Sequence, residues 1–191
     1  MARLLRAGGV IAFPTDTVYG LGADARSAAA VRSIYKLKIR DPRKPLPILV
    51  ESLASARVLG RFSRGALALA RAFWPGPLTL VLKPTAAGRR AAQGFPSLGL
   101  RVPGHDGLRG VLRAARVPFA STSANRSGEP ECRDTAAVAA AFPEGLAAVL
   151  DGGTVRGKPS TVVDFTGEQP VLLREGRLRW SQVLRTLKRP R

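Results

Sequence analysis

Polar side chains in this chain gather where apolar runs begin or end. Pro14–Gly20 sets two hydroxyls (Thr15, Thr17), a carboxylate (Asp16) and a phenol (Tyr19) directly after the apolar run Val10–Phe13. Lys36–Pro45 carries five cations against one acid. Within Ser97–Pro103, Arg101 interrupts an apolar run, where a cation is costly unless it meets an anion. Ser121, Ser123 and Asn125 alternate, so an extended segment lines them along one side. Ser160-Thr161 opens the run through Asp164, and Arg174 closes Val171–Arg174. Hydroxyls and cations at strand ends suit small anionic ligands, since open α/β sheets bind there. Arginine offers a fork for carboxylate or phosphate, and lysine a point charge. Lys38 and Arg40 are two apart, so an extended segment projects both to one side as a phosphate clamp. Ser97 and Arg101, four apart, share one strand face. Plainer readings stand beside these: polar turns that satisfy their own backbone, and cations favoured at a helix C-terminus.

Other chemistries lack their residues. His105 is the sole histidine, and a Ser-His-Asp or Cys-His site would need it as base. It follows Pro103-Gly104 and reads as a solvated loop residue. Cys132 stands alone, which excludes an intrachain disulfide. It lacks the helix-start setting that activates a thiol. One His and one Cys do not make an ordinary zinc site, so no metal-ligating residue is assigned. Neither GxxxxGK[ST] nor a GxGxxG after a strand occurs. The sequence therefore reads as a protein working without a side-chain nucleophile or structural metal.

The elements that must position these residues alternate. Val10–Phe13, Pro47–Val50, Leu78–Lys83, Leu98–Val102, Val117–Ala120, Leu146–Leu150, Thr161–Phe165 and Val171–Arg174 read as strands. Helices are expected at Ser27–Lys38, Ser52–Leu59, Ser63–Trp74, Asp106–Arg116, Asp134–Phe142 and Trp180–Leu187, with Ser27, Ser52 and Asp106 as caps. Ser121–Asn125 is expected as a polar turn. This predicts one α/β domain over residues 1–191, a twisted mixed sheet with helices around it. The 191 residues are 45% hydrophobic and 23% charged, which excludes a disordered chain. The net charge of +18 favours an anionic partner. No apolar run approaches the ~20 residues of a membrane span. The opening MARLLRAGGVIAF lacks the order of a secretory signal, so a cytoplasmic protein is expected.

Taken together, PTDTVYGLGADA at 14–25, Lys38-Ile39-Arg40, LRVP at 100–103, STSAN at 121–125, PSTVVD at 159–164 and LLREG at 172–176 resemble the YrdC-like threonylcarbamoyl-AMP synthases. The resemblance covers nearly the whole chain, and all six motifs in this order are specific. The length looks like the family's short single-domain form. The resemblance implies a twisted α/β sheet around a concave basic cavity.

It also implies a nucleotidyltransferase reaction: L-threonine, bicarbonate or CO2 and ATP give threonylcarbamoyl-AMP and pyrophosphate, for N6-threonylcarbamoyladenosine in tRNA. Carried over by motif, Thr15, Arg101, Ser121 and Ser160 would bind threonine. Lys38, Arg40, Ser97, Ser123, Asn125 and Arg174 would bind ATP, with Lys38 and Arg40 on the triphosphate as the catalytic pair. Mg2+ would arrive with the nucleotide, and no prosthetic group is implied. Partners would be a downstream threonylcarbamoyl-transferase complex and tRNA or double-stranded RNA, without a membrane. Segments 41–47 and 126–133 depart from the family pattern and receive no assignment. The rival reading is a non-catalytic binder of structured RNA with the same fold. Its weakness is that only 6% of residues are aromatic, which leaves few stacking platforms. A carbamoyl-adenylate enzyme of hydrogenase maturation is a second rival, usually part of a much larger chain.

Overall fold

The computed structural model describes residues 1–188. Its nine strands are β1 (Ile11–Phe13), β2 (Gly20–Asp24), β3 (Ile48–Leu49), β4 (Leu78–Leu82), β5 (Leu98–Arg101), β6 (Phe119–Ser123), β7 (Ala148–Val149), β8 (Thr161–Asp164) and β9 (Val171–Arg174). They form one sheet in the order β7-β1-β2-β6-β3-β5-β4-β8-β9. β1–β7, β3–β5 and β4–β8 pair in parallel and the other neighbours antiparallel, so the sheet is mixed, as expected. The helices are α1 (Ala2–Arg6), α2 (Ala28–Lys38), α3 (Leu53–Leu59), α4 (Arg64–Phe73), α5 (Asp106–Ala115), α6 (Thr135–Ala141) and α7 (Trp180–Lys188). A 3-10 turn covers Ala87–Arg89. No helix among the described residues is long and apolar enough to cross a membrane.

Strand alternation divides the sheet into two faces. Ala12, Leu21, Ala23, Ile48, Leu80, Leu100 and Ala120 point into the larger core, with Ile34 of α2 and Leu69 of α4. Ile11, Phe13, Leu49 and Phe119 point the other way, into a smaller core closed by Leu5 of α1 and Leu108 and Leu112 of α5. That smaller core covers only part of its face. The same alternation puts Thr79, Arg101, Ser121 and Ser123 on the remainder.

Three local expectations change. β2 was not foreseen, because Gly20-Leu21-Gly22 does not read as a strand. The Phe13 ring lies over it, and a Cβ at Gly20 or Gly22 would come within 2.9 or 2.7 Å of that ring. β6 continues through Ser123, so the expected turn at Ser121–Asn125 is mostly strand. The cap of α5 is His105, whose Nδ1 accepts the Leu108 amide at 3.2 Å, not Asp106. Ser27, Ser52, Ser63 and Asp134 cap α2, α3, α4 and α6 through the amide three residues on.

Candidate active site

The uncovered part of the second face is a cavity of about 170 Å³. Thr15 and Thr17 reach it from the loop after β1, Thr79 from β4, Arg101 from the end of β5, and Ser121 and Ser123 from β6. Ser160 enters just before β8 and Arg174 at the end of β9. Arg40 and Glu131 complete its charged lining, three guanidiniums against one carboxylate. Of the ten residues singled out from sequence, Thr15, Arg40, Arg101, Ser121, Ser123, Ser160 and Arg174 meet here. Lys38, Ser97 and Asn125 do not line it.

Arg101 is the most constrained of these groups. Its Nε donates to Gly76 O at 3.0 Å, Nη1 to Thr17 Oγ1 at 3.1 Å and Nη2 to Asp16 Oδ1 at 2.6 Å. Burial pulls its guanidinium below the ordinary range, and the Asp16 carboxylate opposes that pull. The anion demanded by a cation in an apolar strand is therefore Asp16. Two of the five guanidinium N–H groups remain for a ligand. Across the cavity, Thr79 Oγ1 and Ser160 Oγ share a hydrogen bond of 2.9 Å, and Arg174 donates twice to Ser160 O, at 2.9 and 3.1 Å.

Lys38 departs from the clamp geometry. Lys38 ends α2, and Ile39 turns into the left-handed region at φ 52, so Lys38-Ile39-Arg40 is not extended. The Lys38 ammonium turns inward and donates to Ser123 O at 2.6 Å, to Asn125 O and to Asn125 Oδ1 at 2.9 Å. Those three bonds use all its donors. Burial, reinforced by the charge of Arg40, lowers its pKa to about 8. Asn125 Oδ1 also accepts from Ser123 Oγ at 2.6 Å, while Nδ2 donates to Arg126 O and Glu129 O. Lys38 and Asn125 thus stand behind the wall and fix the backbone that presents Ser123. Arg40 alone turns to the cavity, with loose bonds to Lys44 O and Pro45 O at 3.4 and 3.3 Å.

Ser97 is separated from Arg101 by the length of β5 and borders a different hollow, with Tyr35, Leu46 and Phe95. Thr15 Oγ1 is engaged in its own turn: it donates to Val18 O at 2.7 Å and accepts the amides of Thr17 and Val18. The polar-turn reading of this segment and its place at the cavity therefore both hold.

Thr17, Thr79 and Glu131 are cavity residues that sequence reasoning did not assign. Thr79 carried a signal of the kind that marked Arg101, a polar residue inside the apolar run Leu78–Leu82. Glu131 carried none. Among the described residues no three His, Cys, Asp or Glu side chains stand together as a metal site.

The Sua5/YciO/YrdC family model, described as telomere recombination, matches residues 3–176. The threonylcarbamoyl-AMP synthase of Bacillus subtilis is 39% identical over 186 residues, 95% of this chain and 54% of that protein. The threonylcarbamoyl-AMP synthase of Thiobacillus denitrificans is 37% identical over 168 residues, 84% of this chain and 87% of that one. The crystal structure of Pyrococcus abyssi Sua5 complexed with L-threonine matches at a TM-score of 0.92 and 38% identity, over 98% of this chain and 56% of that one. This chain spans about half the length of the Bacillus and Pyrococcus proteins. By its match over most of its residues and by the sheet it shares with Sua5, the chain belongs to the Sua5/YciO/YrdC family.

Proposed function

We propose that this chain is an L-threonylcarbamoyladenylate synthase, a nucleotidyltransferase whose single domain holds the whole reaction site. The threonine amine adds to CO2 and loses a proton, giving a carbamate. A carbamate oxygen then forms a bond to the α-phosphorus of ATP as the α–β phosphoanhydride bond breaks and pyrophosphate leaves. No protein nucleophile enters these steps. The observation that carries this reading is the convergence of three arginines and a set of hydroxyls on one small cavity.

Arg101 receives the threonine carboxylate on its two uncommitted N–H groups. Ser121, Ser160 and Thr79 orient the amine and side chain, and Thr15 holds the turn that presents Thr17. Arg40, Arg174 and Ser123 take the nucleotide, with Arg40 at the phosphates. Lys38 and Asn125 serve as positioning residues for Ser123. Ser97 is left without a role. Alignment of two reactants lowers the barrier by up to roughly 7–11 kcal/mol, and donors aimed at the phosphates add charge stabilisation. A divalent ion, Mg2+ in this reading, enters on the triphosphate as part of the substrate, since Glu131 is the one carboxylate among the lining residues. We place the protein in the cytoplasm, handing its product to a threonylcarbamoyl-transferase complex that modifies tRNA.

The test is to incubate the protein with labelled threonine, bicarbonate, Mg2+ and ATP. Threonine-dependent pyrophosphate release and the mixed anhydride by mass spectrometry are expected. RNA retention without either product would favour the non-catalytic RNA binder.

A further inference from the structure

Between Glu51 and Asp106 the chain contains no Asp or Glu, but eight Lys and Arg. Arg101 belongs to the cavity. The other seven are exposed, and none has an ion-pair partner among the described residues. Three of them, Arg61, Lys83 and Arg89, line a second hollow of about 430 Å³ with Phe95 and Pro96. It opens at the end of the β4–β5 pair away from the cavity. Lys83 follows the last residue of β4 and Pro96 precedes the first of β5, whereas Thr79 and Arg101 sit at the opposite ends.

Backbone contacts hold this cleft together. Gly60 and Pro84 form an antiparallel bridge, and the Arg61 amide donates to Lys83 O at 2.9 Å, which sets the two cations side by side. The Thr85 amide donates to Leu59 O at 2.9 Å. Gly88 presses the 3-10 turn against the end of α3, where a Cβ would come 1.9 Å from Leu59 O. That contact carries Arg89 to the same rim. Lys83 Nζ and the Arg89 guanidinium make no hydrogen bond among the described residues. The half-buried Phe95 ring forms an apolar wall between them and the neighbouring hollow.

Like charges fixed around one cleft repel, and they are relieved by a ligand bearing several spaced negative charges. A flat lipid surface meets projecting cations and has no use for a recessed ring. A ribose-phosphate strand supplies both complements: phosphates for the cations, and an unpaired base for the aromatic face. We propose that this cleft is an RNA-binding surface that takes successive phosphates and one unpaired base of a looped strand. The inference rests on the reading above in which the product goes to tRNA. It places the RNA apart from the adenylate cavity.

The experiment compares two triple variants of the full chain, each lowering the net charge by three. One is Arg61→Gln/Lys83→Gln/Arg89→Gln. The other, on exposed cations elsewhere, is Arg3→Gln/Arg32→Gln/Arg113→Gln. The probe is an RNA hairpin with an unpaired loop, titrated over a salt series. The cleft variant is expected to bind at least about tenfold more weakly, with a log K against log salt slope shallower by about two. The control variant should lose less than about threefold. Phe95→Leu should weaken the hairpin about fivefold at an unchanged slope and leave a blunt RNA duplex unaffected. Equal losses in the two triple variants, or tighter capture of the parent protein by phosphatidylserine vesicles than by the hairpin, would overturn the proposal. Threonine-dependent pyrophosphate release without RNA should be the same in the cleft variant as in the parent. Its absence in the parent would defeat the synthase reading and leave the RNA comparison intact.

Discussion

Arg101 Nη2 stands 2.6 Å from Asp16 Oδ1, and the same oxygen accepts the Gly104 amide at 2.9 Å. Both side chains are close to fully buried. The pair ties the end of β5 to the loop after β1 and so fixes one wall of the cavity. Breaking a buried ion pair from one side leaves an uncompensated charge, at a cost of about 3–5 kcal/mol. Asp16→Asn should therefore lower the urea midpoint strongly. Asp16→Asn combined with Arg101→Gln should lose less than the sum of the single losses. Additive losses would show that the two groups do not act as a pair.

Arg101→Lys tests the guanidinium fork. The arginine serves Gly76 O, Thr17 Oγ1 and Asp16 Oδ1 in three directions and keeps two N–H groups for a ligand. An ammonium has three donors in all, so the ion pair survives and the ligand-facing donors are lost. The expected outcome is a threonine Kd raised at least about tenfold, with ATP binding little changed, measured by calorimetry. Equal losses for both substrates would remove Arg101 from the threonine carboxylate.

What could be read from sequence was local. Ser27 and Ser52 announce their helices because a cap needs only its own amide three residues on. The polar residues at strand ends announced most of the cavity because alternation puts them on one face. β2 was hidden because its glycines answer to Phe13, a contact across strands. The direction of Lys38 was hidden because it depends on a left-handed turn at Ile39, a β-branched residue that rarely adopts one. Ser97 was misplaced for a different reason. It lies before β5 begins, so the alternation of that strand does not govern it, and it borders the hollow on the larger-core face of the sheet.

Lys38 gives the protein a pH signature. Its pKa falls from 10.5 to about 8, first through burial and then through Arg40. Below about 8 both native and unfolded chains hold the proton. Between the two values the unfolded chain holds it and the native chain does not, so stability rises with pH across that window. Burial raises the Cys132 thiol, which works in the opposite sense as pH climbs through its ordinary range. In a Cys132→Ala background, the unfolding free energy should rise from about pH 7.5 to about pH 9.5. Lys38→Met in that background should lack the rise and lose about 1–3 kcal/mol near neutrality as buried acceptors go unmet. An identical pH profile in the two proteins would contradict a buried ammonium.

Gly157 tests whether the loop before β8 sets the shape of the end of the cavity proposed for threonine. A Cβ at this position would lie 2.2 Å from Thr17 O and 2.8 Å from Thr17 Cα, both backbone atoms that cannot swing aside. Gly157→Ala must therefore push the loop and the 15–17 turn apart. Thr17 bears the hydroxyl that accepts Arg101 Nη1 at 3.1 Å, so the displacement passes directly to the guanidinium. Overpacking of this kind costs about 1–3 kcal/mol, and a shift of about 1 Å at a reacting centre is worth far more in rate than in stability. Gly167→Ala is the control, since a Cβ there meets nothing within 4 Å. We expect Gly157→Ala to raise the threonine KM and to lower kcat/KM for threonine by about a hundredfold, with Gly167→Ala near the parent. A Gly157→Ala protein that lost stability but kept the parental kcat/KM would show that the loop supports the fold without shaping the site.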